Sequence, residues 1–192
     1  MEDTLPLIQY TIPPSIRVET DLADDVSNVK ADYTQMQMVL SALIANASEA
    51  MEGPGCIRIF TRNEEIGEKA AKQHLDPKPG RYVYLTVEDD GRGMDEETRA
   101  KIFDPFFTTK FQGRGLGMAA VHGIVKNHDG WIFVHSESGR GSAVRIYLPA
   151  SDVQVEEKKR YRPDWPTEEQ RLSSMSADQA SAELITKSGS RS

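Results

Sequence analysis

Apolar and polar positions alternate along this chain in a few clear patterns. Between residues 34 and 51 the apolar ones are Met36, Val39, Leu40, Leu43, Ala47, Ala50 and Met51. That three-and-four spacing is one face of a helix. Asp32 or Thr34 stands where an N-cap belongs, and Gly53-Pro54-Gly55 ends the run. Residues 82–89 follow a period of two, so Val83, Leu85, Val87 and Asp89 share one side of a strand. Shorter alternations predict strands at 16–19 and 56–61, and a hairpin of 131–136 with 142–148. The hairpin turns across Glu137-Ser138-Gly139-Arg140-Gly141, whose Gly-Arg-Gly reads as a turn signal. Helical spacing returns at 96–102, behind Asp95, and at 116–128, with Met118, Val121, Ile124 and Val125 inward.

Between these elements lie segments without a period. Residues 1–14 carry Leu5, Leu7, Ile8, Tyr10 and Ile12 before Pro13-Pro14, and predict a lead-in, either an added edge strand or a docked linker. Residues 21–30 form a polar connection. Residues 63–80 are charged and contain Pro77, Pro79 and Gly80, which predicts a surface loop between two hairpin strands. Residues 104–115 hold Pro105 and two glycines with little periodicity, and read as a lid. Pro149 predicts the close of a domain spanning 15–149. From 150 to 192 charge gives way to Ser and Ala, with at most a weak helix at 167–186, as expected of a linker or a disordered tail.

Composition narrows the function. A chain of 192 residues can bury one good core. The net charge of −7 argues against a nucleic-acid partner. The single cysteine, Cys56, allows no internal disulfide and no cysteine-based zinc site. No apolar run has the length of a membrane span, and the N-terminus lacks a signal-peptide pattern. The expectation is a monomeric cytoplasmic domain without direct membrane contact, compatible with a membrane-anchored parent.

The chemistry gathers in residues 89–117. Asp89-Asp90-Gly91-Arg92-Gly93-Met94 follows a strand, and Gly113-Arg114-Gly115-Leu116-Gly117 opens a helix. Between them runs Phe103-Asp104-Pro105-Phe106-Phe107-Thr108-Thr109-Lys110. Glycine lets backbone N–H groups approach a ligand with no Cβ in the way, and a helix N-terminus attracts phosphate. Asp89 continues an apolar stripe, which favours a group aimed at a ligand over a simple turn cap. A carboxylate accepts hydrogen bonds and so suits the amino group of a base. One end for a base and one for phosphates suggests a nucleotide pocket. Asn46 lies on the apolar face of the first helix, where an amide needs a partner; backbone at the core edge or a ligand would serve. His122 and His128 have no cysteine or carboxylate at ligand spacing and read as helix-surface or packing residues, and His74 reads as solvated.

There is no Gly-x-x-x-x-Gly-Lys-Ser/Thr loop and no His-Arg-Asp loop. An Asn on an amphipathic helix, Asp-x-Gly-x-Gly after a strand, a Phe-rich segment and Gly-x-Gly-Leu-Gly at a helix start occur in that order. This resembles the catalytic ATP-binding domain of sensor histidine kinases, whose superfamily includes gyrase, heat-shock chaperone and mismatch-repair ATPases. The resemblance covers about residues 5–149. It implies an α+β fold, a two-layer α/β sandwich (the Bergerat fold), with a mixed, mostly antiparallel sheet and helices on one face.

The resemblance also implies roles. Asn46 would be catalytic and hold Mg²⁺ at the triphosphate, and Asp89 would accept from the adenine amino group. Gly91 and Gly93 would lie along base and sugar, with Ala50 and Met94 among the nucleotide contacts. Phe103, Phe106 and Phe107 match the F box, with Phe107 and Thr109 near the nucleotide. Lys110, as a second catalytic group, and Arg114 would offset phosphate charge. Gly113, Gly115 and Gly117, with Leu116 between the last two, match the second glycine box, and Ser142 a hydroxyl that supports the adenine end. ATP and Mg²⁺ are the implied cofactors. The implied reaction is transfer of the γ-phosphate to a histidine on dimerisation helices of the same parent protein, with a response regulator downstream. Ala42 stands four residues before Asn46, where the gyrase and chaperone branches carry a water-activating glutamate, and argues against an efficient built-in ATPase. None of the four histidines sits in an acidic helical setting, so the acceptor is expected on another segment or another protein. A gyrase-type ATPase, a non-catalytic nucleotide-binding module and a serine kinase of the anti-sigma-factor type are the rival readings.

Overall fold

The computed structural model describes residues 12–68, 78–109 and 115–153. Its elements are β1 (Ile16–Leu22), β2 (Asn28–Val29), α1 (Tyr33–Glu49), β3 (Gly55–Ile66), β4 (Gly80–Asp89), α2 (Glu96–Lys101), α3 (Gly117–Asn127), β5 (Trp131–Ser136) and β6 (Ser142–Ser151). The sheet runs β1-β3-β4-β6, and both β2 and β5 pair with β6. β1 and β3 are parallel and the other pairs antiparallel. No helix among the described residues is long and apolar enough to cross a membrane.

The apolar periods decide the layers. By register, Ile57, Ile59, Val87, Val144 and Ile146 share one face of the sheet. They form one core with Val39, Leu40, Leu43, Ile44 and Ala47 of α1 and Met118, Val121 and Val125 of α3. Each large side chain buried there contributes about 1.5–3 kcal/mol. Both helices therefore lie on one face, giving the two-layer α+β sandwich expected. Asp32 caps α1, accepting from the Gln35 N–H at 2.8 Å. The two helices are also joined by an imidazole. His128 Nε2 accepts from the Asp32 N–H at 3.0 Å, while Nδ1 lies 2.8 Å from the Ile124 carbonyl oxygen. That geometry specifies a neutral ring with its proton on Nδ1.

The opposite face carries a second, aromatic cluster of Ile66, Tyr82 and Tyr147 with Tyr84 and Trp131. Trp131 stacks on Tyr147, with centroids 3.9 Å apart, and the Arg145 guanidinium lies 4.7 Å over the Tyr84 ring. This cluster explains where the sequence reading of 63–80 as loop fails. Residues 63–66 extend β3, pairing with β4 from Val83 back to Gly80, because Ile66 is buried against Tyr82 and Tyr147. β6 likewise continues through Pro149 to Ser151. Pro149 falls between the β5 pairing, which ends at Tyr147, and the β2 pairing, which starts at Ala150. A missing N–H is tolerated at such a gap. β2 itself lies in the stretch read as a polar connection. The first eleven residues, His74 with its surrounding loop at 69–77, and the tail from 154 lie outside the described residues.

Candidate functional site

Asp89 ends β4 on the helix-covered face, as the alternation predicts. It stands opposite Ile57 on one side and Ser142 on the other, and Ser142 stands opposite Ser136 of β5. Three polar residues thus form one row where the apolar stripe ends. The Asp89 carboxylate accepts from the Gly91 N–H at 3.0 Å. Partial burial raises its pKa above the ordinary carboxylate range, the backbone N–H groups of Gly91 and Ser142 pull it back down, and the Asp90 charge adds to the rise. Asp90 points away from this row and accepts from the Cys56 N–H at 2.8 Å, tying the start of β3 to the end of β4.

The first glycine turn is clamped on two sides. Toward α1, the Arg92 N–H donates to the Ala50 carbonyl at 3.0 Å. A Cβ on Gly91 would stand 2.7 Å from that oxygen and 2.9 Å from the Ala50 Cβ. Toward the hairpin, Gly93 has φ +65° and lies against the Glu137 carbonyl, while the Gly139 N–H donates to the Arg92 carbonyl at 2.7 Å. Gly141, at φ +81°, lies against the Asp89 carbonyl. The Gly-Arg-Gly of the hairpin is therefore more than the turn signal expected from sequence, because it forms one wall beside Asp89. The hub of this wall, which sequence reasoning missed, is Ser136. Its hydroxyl accepts from the Met94 N–H at 2.8 Å, donates to the Gly141 carbonyl at 3.0 Å and lies 3.0 Å from the Ser142 hydroxyl. Its position opposite Ser142 at a strand end was the available signal.

The structure thus brings Ala50, Asp89, Gly91, Gly93, Met94 and Ser142 together. Asn46 lies one turn before Ala50 on α1, half-buried, and its carbonyl accepts from the Ala50 N–H at 3.1 Å. Ala42, a further turn back, packs its methyl group against the core. The second group lies on the two sides of residues 110–114 in the chain. The Phe106 N–H donates to the Gly115 carbonyl at 2.9 Å, and Gly115, at φ +64°, lies against the Phe106 and Phe107 backbone. Phe106 itself has φ +68° and is 76% exposed, so its conformation comes from this backbone pin and not from burial. Phe103 packs on the His122 ring of α3 with centroids 5.1 Å apart, which makes His122 a packing residue. Thr109 and Leu116 are exposed, and α3 starts at Gly117 without a side-chain cap from Leu116. Lys110, Gly113 and Arg114 lie outside the described residues. A shallow hollow of about 290 Å³ lies at this end of the sheet and is lined by Arg58, Glu88, His135, Glu137 and Arg140, with Asp89, Gly141, Ser142 and Ala143 completing it. Arg58 and Arg140 are paired there with Glu88 and Glu137, so it is a solvated charged surface.

Residues 31–152 match the family described as histidine kinase-, DNA gyrase B-, and HSP90-like ATPase. The chain belongs to that family. Proteins similar to it within this family include sensor kinases. It is 37% identical over 161 residues to the sensor kinase CckA of Brucella abortus, covering 83% of this chain and 17% of that protein. It is 35% identical to the signal transduction histidine-protein kinase AtoS of Escherichia coli, covering 78% of this chain and 22% of that protein. The chain therefore spans less than a quarter of the length of these curated relatives. The catalytic domain of histidine kinase ThkA superposes with a TM-score of 0.61 at 28% identity, covering 78% of this chain and 89% of that structure. This ATPase-family member is thus a domain of the histidine-kinase catalytic type, and ATP is the nucleotide that the family uses.

Proposed function

We propose that the chain is the ATP-binding catalytic domain of a two-component sensor histidine kinase and transfers the ATP γ-phosphate to a histidine carried on a separate helical segment. The observation that carries this reading is Asp89, an acceptor held at the open end of an inward apolar stripe, with Gly91 and Gly93 clearing backbone on either side. Asp89 accepts from the adenine amino group, and Ser142 supports that end. The polyphosphate runs toward the N-terminus of α3, whose first N–H groups favour an anion. Gly117 supports this. A Cβ there would meet nothing within 4 Å, so packing does not require glycine, although glycine costs a helix about 1 kcal/mol relative to alanine. An approaching phosphate would require it.

Asn46 offers a hard amide oxygen on the same helix as Ala50, and it fits a Mg²⁺ ion that takes its remaining ligands from phosphate and water. Among the described residues no three His, Cys, Asp or Glu side chains gather into an all-protein metal site. When bound, Mg²⁺ would neutralise phosphate charge. Lys110 and Arg114 would add positive charge from the lid, and Thr109, Phe107 and Leu116 would line it.

In the transfer, an imidazole nitrogen attacks the γ-phosphorus, the bond from phosphorus to the β,γ-bridging oxygen breaks, and ADP leaves. The imidazole proton passes to an acidic neighbour on the acceptor helix. The domain's share is positioning and charge neutralisation. Residues 1–14 would link to the acceptor segment, and 150–192 would lead away from the domain. The partners are the dimerisation helices and then a response regulator, in the cytoplasm where ATP is supplied.

The test mixes this chain with the helical segment of its parent protein and γ-labelled ATP. An acid-labile adduct is expected. An adduct that survives acid would assign a serine acceptor. Steady phosphate release by the chain alone would favour the gyrase-type ATPase, which Ala42 argues against. Saturable ATP binding without transfer would leave a nucleotide-sensing module.

A further inference from the structure

We infer that Ser136 is a positioning and specificity-determining residue, which selects a 6-amino over a 6-oxo purine by taking the hydroxyl hydrogen of Ser142. The inference rests on the adenine reading of Asp89. Ser136 is 6% exposed, at the end of β5, and shares the row of Asp89 and Ser142 on the helix-covered face. A serine hydroxyl has one hydrogen and two lone pairs. The hydrogen of Ser136 goes to the Gly141 carbonyl at 3.0 Å, and one lone pair takes the Met94 N–H at 2.8 Å. The remaining contact, 3.0 Å to the Ser142 hydroxyl, must then be a bond that Ser142 donates. Ser142 is left with lone pairs alone.

The consequence is an edge that accepts and does not donate. Asp89 in its ionised form is an acceptor, and Ser142, its neighbour across the β4–β6 ladder, is held as another. A 6-amino purine brings donors to such an edge. A 6-oxo purine puts a carbonyl in place of the amino group, so lone pairs would face lone pairs there, and it keeps one donor, N1–H, against the two hydrogens of the amino group. A free Ser142 hydroxyl could rotate and serve either base, so the discrimination depends on Ser136 as well as on Asp89. Ser136 does not touch the base. It acts through Ser142, and through Met94 it also holds the glycine turn.

The experiment measures the affinity of the full 192-residue chain for ATP and for its 6-oxo counterpart, inosine triphosphate, by calorimetry in magnesium buffer. Ser136→Ala is expected to reduce the ratio of the two affinities by about fivefold to tenfold, the scale of one exchanged hydrogen bond. Ser136→Thr, which keeps the hydroxyl, is expected to restore the ratio. A loss of affinity equal for both nucleotides would mean that Ser136 is merely structural and would overturn the assignment. Should Ser136→Ala not fold, Ser142→Ala carries the same test, because it removes the hydroxyl through which Ser136 acts and keeps the Met94 bond. An unchanged ratio there also overturns it. Failure of the parent chain to bind either triphosphate would instead sink the nucleotide reading, and this inference with it.

Discussion

The Arg92 N–H donates to the carbonyl of Ala50 at 3.0 Å, which fastens the C-terminal end of α1 to the glycine turn after β4. The bond satisfies one of the carbonyls that a helix end leaves open. It also sets the distance between a helix bearing Asn46 and a strand bearing Asp89, so the two ends of the proposed pocket share one rigid joint.

Gly91 and Gly93 are required by the packing around that joint, whereas Gly117 is tied only to the proposed phosphate position. Gly91→Ala would push a methyl group into Ala50, and Gly93→Ala would combine a left-handed backbone with a clash on the Glu137 carbonyl. Each is expected to lower stability by about 1–3 kcal/mol in urea unfolding. Gly117→Ala should leave stability equal or higher by up to about 1 kcal/mol, yet weaken ATP binding in calorimetry. A fully retained affinity would remove the reason for placing phosphate at α3.

Asp89→Asn should stabilise the nucleotide-free chain while abolishing adenine recognition. The sign follows from the raised pKa of Asp89, caused first by partial burial. A raised carboxyl favours folding while protonated and loses that contribution as pH rises through its folded pKa. The stability advantage of the variant should therefore be small at acid pH and grow as pH rises past the ordinary carboxylate range. Thermal melts of both proteins across pH 3–8 check this. ATP affinity of the parent should weaken over the same interval as pH falls, because the adenine amino group needs an ionised acceptor.

His128 joins two helices through two hydrogen bonds, at 3.0 Å to the N-cap residue of α1 and at 2.8 Å to its own helix. His128→Ala should cost about 1–2 kcal/mol of stability with ATP affinity unchanged. Denaturant curves and calorimetry on the same sample separate the two effects.

Asn46→Asp keeps the size of the side chain and adds negative charge near the proposed polyphosphate. Binding of ATP in magnesium should fall by about tenfold or more, while urea unfolding of the free chain shifts little. If magnesium and EDTA buffers give equal affinities for the parent, Asn46 holds no metal.

Much of this site can be read in the sequence because it rests on local rules. The period of two from Val83 to Asp89 turned the acid inward, and the structure finds it there. The period of α1 placed Val39, Leu40, Leu43 and Ala47 in the core and Asn46 at its margin, although Ile44, which sits at the side of the stripe, is buried too. Other features resisted. Residues 63–66 looked too charged for a strand, since three of the four are polar and face solvent or the outer sheet surface; Ile66 finds its cover in Tyr82 and Tyr147 from distant parts of the chain. Pro149 looked like an ending because a proline interrupts a ladder, and no local pattern reveals that its neighbours along β6 change there.

By itself the sequence determined the helices and the centres of the longer strands, which way Asp89 would face, and where glycine leaves the backbone bare, because periodicity and the missing Cβ of glycine are properties of a few consecutive residues. Tertiary structure alone decided that the Gly139–Gly141 turn would close on the Gly91–Gly93 turn and that Ser136 would gather Met94, Gly141 and Ser142 around one hydroxyl. The bond from Met94 to Ser136 joins residues 42 positions apart, and a hydrogen-bond partner at that separation is chosen by strand register and by the packing that fixes it.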